Sequence, residues 1–458
     1  MKFTFFTNCI SPHQVPLAKA LIKRLGRENY RYVYTDELTA ERMAMGWGDV
    51  LKEQGAVFIQ RGEDAFELLN ADVLLSGNRT VGLFERRNQF GKKTWYCSER
   101  WFKPPLGFFR VFVPSYFKMA WRFVQCFKSE PFEYLPMGIH AARDMVRLMG
   151  FLNGDVRCLF RAPKVAFESR PGGAIVALKD AIDAGVLSQD EIAFGKKHGF
   201  VQIPKEYWGK VEPRNVYAKM RLWGYFVEPG KKTIEGALRQ WPVASGEFPS
   251  ATHSGAYWPD GADVQDCQCE INHEIHERHE KGADAQTRNW ELGTRNCREG
   301  APRLRVLWVG RMLKLKRVDT LVKACLAKDL RERVELHLYG HGPEEQRLRD
   351  LANDAPHIHF HDFVPVEQVR DLMRSHDIYI FPSNASDGWG AVVSEALEEG
   401  MQVFGTIEAG ASATILPPTH LFNAGDVTRL CELLKTQLQK VAIGEWTAEK
   451  GAHWLTNK

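Results

Sequence analysis

From Leu304 onward the chain repeats one unit: a short apolar run, a tight turn, then a stretch with helical periodicity. Arg305 to Val309, Val334 to Tyr339, His357 to Phe360, Asp377 to Phe381 and Met401 to Phe404 read as strands. Val318 to Ala327, a run ending near Asn353, Val366 to Ser375, Gly390 to Glu399 and Val427 to Leu438 read as the helices that follow them. Strands joined through helices return parallel to one another. The pattern predicts a doubly wound α/β domain whose ligands bind at the carboxyl ends of its strands.

A looser version of the same alternation fills the first half. Lys2 to Thr7, Arg31 to Thr35, Ala71 to Ser76, Lys93 to Cys97 and Tyr134 to Met137 read as strands, with Arg221 to Val227 as the last. Helical patterns cover about Gln14 to Leu25, Thr80 to Phe90 and Ala141 to Gly150. A chain of 458 residues with 44% hydrophobic content exceeds what one core needs, so two domains are expected. Between the halves the sequence turns polar, rich in Gly, Glu and His, which reads as a linker with an insertion. The expected division is a first domain over 1–228, the polar segment 229–300, a second domain over 301–440 and a tail over 441–458. No internal repeat of 20–50 residues is visible.

Composition narrows the function. No run reaches the roughly 18–20 apolar residues of a membrane span. Met1 to Ile10 lacks a basic start followed by a long apolar stretch, so no signal peptide is expected and the address is the cytoplasm. Nine scattered cysteines, an odd number, read as reduced thiols. A net charge of +4 is too mild to argue for nucleic acid as a partner.

Three motifs fall at strand-to-helix junctions of the second half. Gly310-Arg311, followed by Lys316, sets two cations on a short loop, where Arg binds phosphate oxygens bidentately and Lys adds a point charge. A solvated basic loop would look the same, since Lys314 and Arg317 are also present. Gly340-His341-Gly342-Pro343 allows close backbone approach to a ligand, and a tight turn explains it equally well. Pro382-Ser383 leads through Asp387-Gly388-Trp389-Gly390 into a helical pattern that carries Glu395. Free N–H groups at that helix start suit an anion, and carboxylates on either side suit hydroxyl groups. Singly, each acid reads as an exposed or helix-start charge. Together the three outline a nucleotide-sugar site.

The run from Arg305 to Leu416 resembles the donor-binding domain of the family 4 retaining glycosyltransferases, the "glycosyltransferases group 1", which have the GT-B fold. The resemblance rests on Gly310-Arg311-(x)4-Lys316, on Gly340-x-Gly342-Pro343, and on Pro382-Ser383 with Asp387-(x)7-Glu395. It implies two Rossmann-like domains facing a cleft, and a sugar moved from a nucleoside diphosphate to a glycan or lipid-linked acceptor, as in polysaccharide biosynthesis. Arg311 and Lys316 match the pair that neutralises the diphosphate. Glu395 matches the carboxylate that accepts the ribose hydroxyls, and Asp387 the acid that faces the transferred sugar. Gly310, Gly340, Gly342, Gly388, Trp389 and Gly390 line the same pocket, and Phe363-Val364-Pro365 matches a loop bordering the base. The first acid of the family pattern is usually Glu; Asp387 is one methylene shorter, which bears on sugar choice and on activity. The family implies retention of configuration, with the departing phosphate taking the acceptor's proton. Cations and helix-start amides would stabilise the leaving group, so no metal or other cofactor is expected. No two aspartates are spaced by one residue, the pattern of metal-dependent transferases.

The first half carries the acceptor side. His13, in the loop after the first strand, is a candidate contact, although the Gly-Gly often found there in GT-B enzymes is absent. Glu99 and Arg100, at another strand end, are candidates to orient an acceptor hydroxyl and to bind an acidic group. Structural roles explain all three as well. Residues 108–128 interleave Phe108, Phe109, Phe112, Phe117 and Trp121 with Arg110, Lys118, Arg122 and Lys128, and a helix is expected from Pro114. This stretch reads either as an amphipathic core helix or as a surface for the anionic inner face of a membrane. Cys267, Cys269, His273, His276, His279 and Cys297 cluster in the polar segment, but their spacing fits no common zinc module. Two other readings stand beside transfer: a catalytically weak GT-B scaffold, and a GT-B sugar-nucleotide epimerase working without an acceptor.

Overall fold

Two six-stranded parallel sheets organise the protein. The computed structural model describes residues 1–9, 11–40, 43, 55–60, 64–225 and 303–442, which belong to one compact unit. The first sheet holds β1 (Phe3–Thr7), β2 (Tyr30–Tyr34), β3 (Val57–Phe58), β4 (Val73–Ser76), β5 (Lys93–Ser98) and β6 (Phe132–Pro136). A small third sheet, β7 (Val165–Phe167), β8 (Ile175–Ala177) and β9 (Phe200–Gln202), follows. The last sheet holds β10 (Leu304–Val309), β11 (Val334–Tyr339), β12 (Ile358–His361), β13 (Ile378–Phe381), β14 (Gln402–Thr406) and β15 (Leu421–Phe422).

The two large sheets share one topology. Their orders are β3-β2-β1-β4-β5-β6 and β12-β11-β10-β13-β14-β15. Each starts in the middle, winds to one edge, then returns beside its first strand and winds to the other. The reversal falls between β1 and β4 in one half and between β10 and β13 in the other. Loops at the carboxyl ends diverge there and open a crevice for ligand. This is the GT-B architecture of two doubly wound domains.

Strand and helix limits in the second half follow the expectation closely. The helices are Val318–Cys325, Glu345–Ala352, Val366–Arg374, Ala391–Glu398, Gly410–Ile415 and Val427–Ala442. The last runs two residues past the expected boundary at 440. Gly410–Ile415 and β15 escaped the sequence reading; both are short and follow β14 without a long periodic run.

One expected strand is not formed. Of Arg221 to Val227, the described part through Tyr225 makes one isolated bridge beside β6, Trp223 with Met137, and Met220 just before it makes another with Tyr134. The backbone explains the break. Arg221 N–H donates to the Tyr134 carbonyl and Trp223 N–H to the Pro136 carbonyl. The bond between them would need an N–H from Pro136, which has none. The first half also holds elements the reading left unassigned, namely β7–β9 with helices Leu178–Asp183 and Gln189–His198. The latter has a complete Ser188–Glu191 capping box, a signature present in the sequence. The expectations for 229–300, including the Cys267–Cys297 cluster, and for 443–458 lie outside the described residues.

Helix Pro114–Lys128 forms as expected. Its inner face buries Ala120, Phe123, Val124 and Phe127 in the core of the first half, beside Phe84, Tyr96 and Phe132. Among the described residues, no helix is long and apolar enough to cross a membrane.

Candidate active site

The motifs of the second half gather on the loops after β10, β11 and β13, where the chain reverses. The loop after β10 is fixed first. Gly310 N–H donates to the Tyr339 carbonyl at 3.0 Å, and Met312 N–H to the His341 carbonyl at 2.8 Å. Gly340 sits at φ +117°, and a Cβ there would run into the Gly310 carbonyl. At Gly342 a Cβ would come within 2.5 Å of the Met312 carbonyl. These two glycines therefore let the turn after β11 lie directly on the cation-bearing loop.

Lys316 ends a 3₁₀ turn, Lys314–Lys316, and the Leu315 carbonyl accepts from Asn384 N–H at 2.9 Å. That bond ties the loop after β10 to the loop after β13. Lys316 Nζ then reaches Asp387 Oδ2 at 2.7 Å, with the Phe381 ring 5.6 Å beneath it. Burial alone would push the Asp387 carboxyl up. The Lys316 charge and the hydrogen bonds from Lys316 and Gly388 N–H outweigh it and hold Asp387 below its ordinary value. Arg311 stands exposed on the same loop as Lys316.

Gly390 adopts φ +87°, where a Cβ would overlap the Phe381 ring. Helix Ala391–Glu398 starts immediately after it with no side-chain cap. Its first N–H groups are therefore donors available to an anion. Glu395 lies one turn further on, and its Oε1 is 3.3 Å from His13 Nδ1. His13 belongs to the 3₁₀ turn Pro12–Gln14 after β1, and its ring is 5.5 Å from that of Tyr225.

Glu99 closes the site from the end of β5. It accepts from Trp389 N–H at 3.1 Å and pairs with Lys103 Nζ at 2.7 Å. A Cβ at Gly388 would overlap the Glu99 carboxylate, so Gly388 is what admits it. The structure thus brings Lys316, Asp387, Glu395, Gly388, Trp389 and Gly390 together with His13 and Glu99. Arg100 turns elsewhere and pairs with Asp144 at 3.5 Å. Val364 and Pro365 lie on the loop after β12, which the His341–Asp362 pair (3.5 Å) holds near the Gly340–Gly342 turn.

Gly138, Gly224, Thr414 and Gln202, around the site, escaped the sequence reading. Trp389 is buried against Gly138 and Gly224, where a Cβ would come within 2.9 and 2.6 Å of its ring. Gly138 has φ +85°, and a glycine at a strand end was its only sequence signal. Thr414 accepts from Ile139 N–H at 3.0 Å, and Gln202 donates to the Thr414 and Leu416 carbonyls at 3.1 and 2.9 Å. Among the described residues, side chains grouped as metal ligands lie away from these loops, at Glu335, His337 and His359.

Residues 303–440 match the family model described as "Glycosyl transferases group 1". An uncharacterized glycosyltransferase of Methanocaldococcus jannaschii is 29% identical over 25% of this chain and 30% of its own length. A Corynebacterium glutamicum enzyme, described as a GDP-mannose-dependent monoacylated alpha-(1-6)-phosphatidylinositol monomannoside mannosyltransferase, is 28% identical over 32% of this chain and 44% of its own. The chain thus matches less than half the length of either relative. Among solved structures, Anabaena HepE in complex with UDP and glucose superposes with a TM-score of 0.50 at 10% identity, covering 99% of this chain and 95% of that one. That likeness is one of fold.

Proposed function

We propose that this protein transfers a sugar from a nucleoside-diphosphate sugar to a glycan or lipid-linked acceptor. The observation that carries the reading is the convergence of Lys316, Asp387 and Glu395 on an uncapped helix start at the reversal point of the family-matched domain. The GDP-mannose dependence of the Corynebacterium relative and the UDP held by HepE support a nucleotide-sugar donor.

The geometry suggests the steps. The donor diphosphate takes the amides of Ala391 and Val392 together with Arg311 and Lys316. Lys316 then passes from Asp387 to phosphate, and Asp387 turns to the sugar hydroxyls. Glu395 accepts the ribose hydroxyls in place of His13. As the C1–O bond to phosphate breaks, these cations and dipoles stabilise the charge on the leaving group. An acceptor hydroxyl, oriented by Glu99 or His13, bonds to C1 on the same face and gives its proton to the departing phosphate oxygen. That route retains configuration, and every charge it develops has a protein partner, so it runs without a metal.

The acceptor side points to lipid. Phe109, Phe112, Phe117 and Trp121 are 59%, 59%, 41% and 50% exposed on one stretch of the first half. An exposed face this apolar is unusual, and Lys118 and Lys128 flank it. We assign it to the anionic inner face of a membrane.

Thermal shift of the wild type and Glu395→Ala against UDP-, GDP-, ADP- and dTDP-sugars tests the reading. Stabilisation by one donor, lost in Glu395→Ala, supports it and names the nucleotide. Stabilisation by none moves the assignment to a scaffold.

A further inference from the structure

One face of β11 and β12 collects four rings and an acid that sugar transfer does not use. The parallel register sets His337 beside His359 and Tyr339 beside His361. Alternate residues share a face, so Glu335, His337, Tyr339, His359 and His361 project to the same side. Glu335 Oε1 accepts from His359 Nε2 at 3.2 Å, and its other oxygen is 3.8 Å from His337 Nε2. One ligand atom from each of Glu335, His337 and His359 lies within 4.8 Å of the others.

A second observation singles out His337. Its Nε2 is buried with no hydrogen-bond partner among the described residues. Its Nδ1 is 3.0 Å from His361 Nε2. Two ring nitrogens at that distance share one proton. With the proton on His337 Nδ1, the Nε2 lone pair points toward Glu335 and His359. A buried polar atom left without a partner is costly, and a cation there would satisfy it.

We propose that Glu335, His337 and His359 bind a divalent transition cation of the zinc type through one carboxylate oxygen and two Nε2 atoms, with His361 fixing the His337 tautomer. Two imidazoles and a carboxylate suit such a metal better than magnesium or calcium, which favour oxygen. A ligating histidine usually donates its other ring N–H to an outer acceptor, and here His361 Nε2 fills that place. His359 passes its proton to Nδ1 when Nε2 binds, so no net charge is created on the ring. Arg305 opposes the site: it lies beside Glu335 in register, although its guanidinium donates to the Ser375 carbonyl at 2.5 Å. Its charge weakens binding, and Glu335 offsets it. His337, the β11 ligand nearest the Gly340 turn, lies three residues before it, about 10 Å along the strand. The metal would therefore clamp the β11–β12 edge and take no part in sugar transfer.

The test uses the full chain without a polyhistidine tag, stripped with EDTA and titrated calorimetrically with ZnCl₂. One equivalent should bind to the wild type and to Cys267→Ser/Cys269→Ser. Glu335→Gln, His359→Gln and His361→Phe should each weaken binding about 10–100-fold. Melting in EDTA identifies the variants that keep the wild-type fold, and affinities are compared among those; His359 is partly exposed and tolerates the change best. No binding by the wild type, binding unmoved by these variants, or binding lost in the cysteine variant would overturn the proposal.

Discussion

Lys316 and Asp387 form the pair at which stability and the proposed chemistry meet. Both side chains are largely buried, at 23% and 13% exposure, so each is costly without the other. Lys316→Met should therefore lose about 1–3 kcal/mol in urea unfolding at pH 7, because Asp387 stays behind as an unpaired acid. Asp387 titrates below its ordinary 3.8 in the folded chain. Its contribution is then fully present above that value and lost as pH falls through the folded one. The gap between wild type and Lys316→Met should close on acidification below about pH 4; a gap that persists there would show that the lysine acts through packing alone. Gly390 is a second such residue. Gly390→Ala meets φ +87° and the Phe381 ring, so it should cost at least about 1–2 kcal/mol and reduce donor-induced stabilisation. An alanine variant that melts and binds like wild type would remove the conformational argument.

The stretch from Phe109 to Lys128 is an element with two apolar faces, and its sequence could not say which faces what. Phe123, Val124 and Phe127 go inward, while Phe117 and Trp121 remain outside beside Phe109 and Phe112. One expected cation is already engaged, since Arg122 pairs with Glu85 through Nε–Oε1 at 2.7 Å. Binding should therefore depend more on the rings than on Arg122. In liposome flotation with anionic vesicles, Phe112→Ser/Trp121→Ser should lose at least about tenfold in bound fraction, since each buried ring contributes about 1.5–3 kcal/mol. Flotation unchanged by that double variant, or absent from the wild type, would sink the membrane assignment. Elements of the second half were legible because strands such as the half-buried Val334–Tyr339 and the buried Ile378–Phe381 stand beside turns and helical periods. The three-residue strands β7 to β9 were not, because a period of two needs more residues than they have. The donor-side motifs were legible as spacing along the chain. His13, Glu99 and Trp389 were legible as candidates, but the pairings of Glu99 with Trp389 and of His13 with Glu395 were not, because contacts across about 290 or more residues depend on how the halves meet.

At the scale of the molecule, the two halves meet along a seam of specific bonds. Glu99 reaches Trp389, His13 reaches Glu395, Gln202 reaches Thr414 and Leu416, and His140 Nε2–H donates to the Ile407 carbonyl at 2.8 Å. His140 is fully buried, and burial, with Arg100 and Arg143 nearby, drives its pKa well below 6.5. It must stay neutral for the seam to close. An unfolded chain takes up that proton below about pH 6.5 and the folded one does not, so stability is complete above that pH and falls on acidification. His337, His376 and His420 shift the same way and add to the slope in any variant that keeps them. His140→Gln retains a donor for Ile407 but takes up no proton. Its unfolding free energy, measured in urea from about pH 7 to 5, should fall by about 2 kcal/mol less than that of the wild type over that range. Parallel declines would mean that His140 is protonated in the folded chain, and that the seam is not closed around a neutral ring.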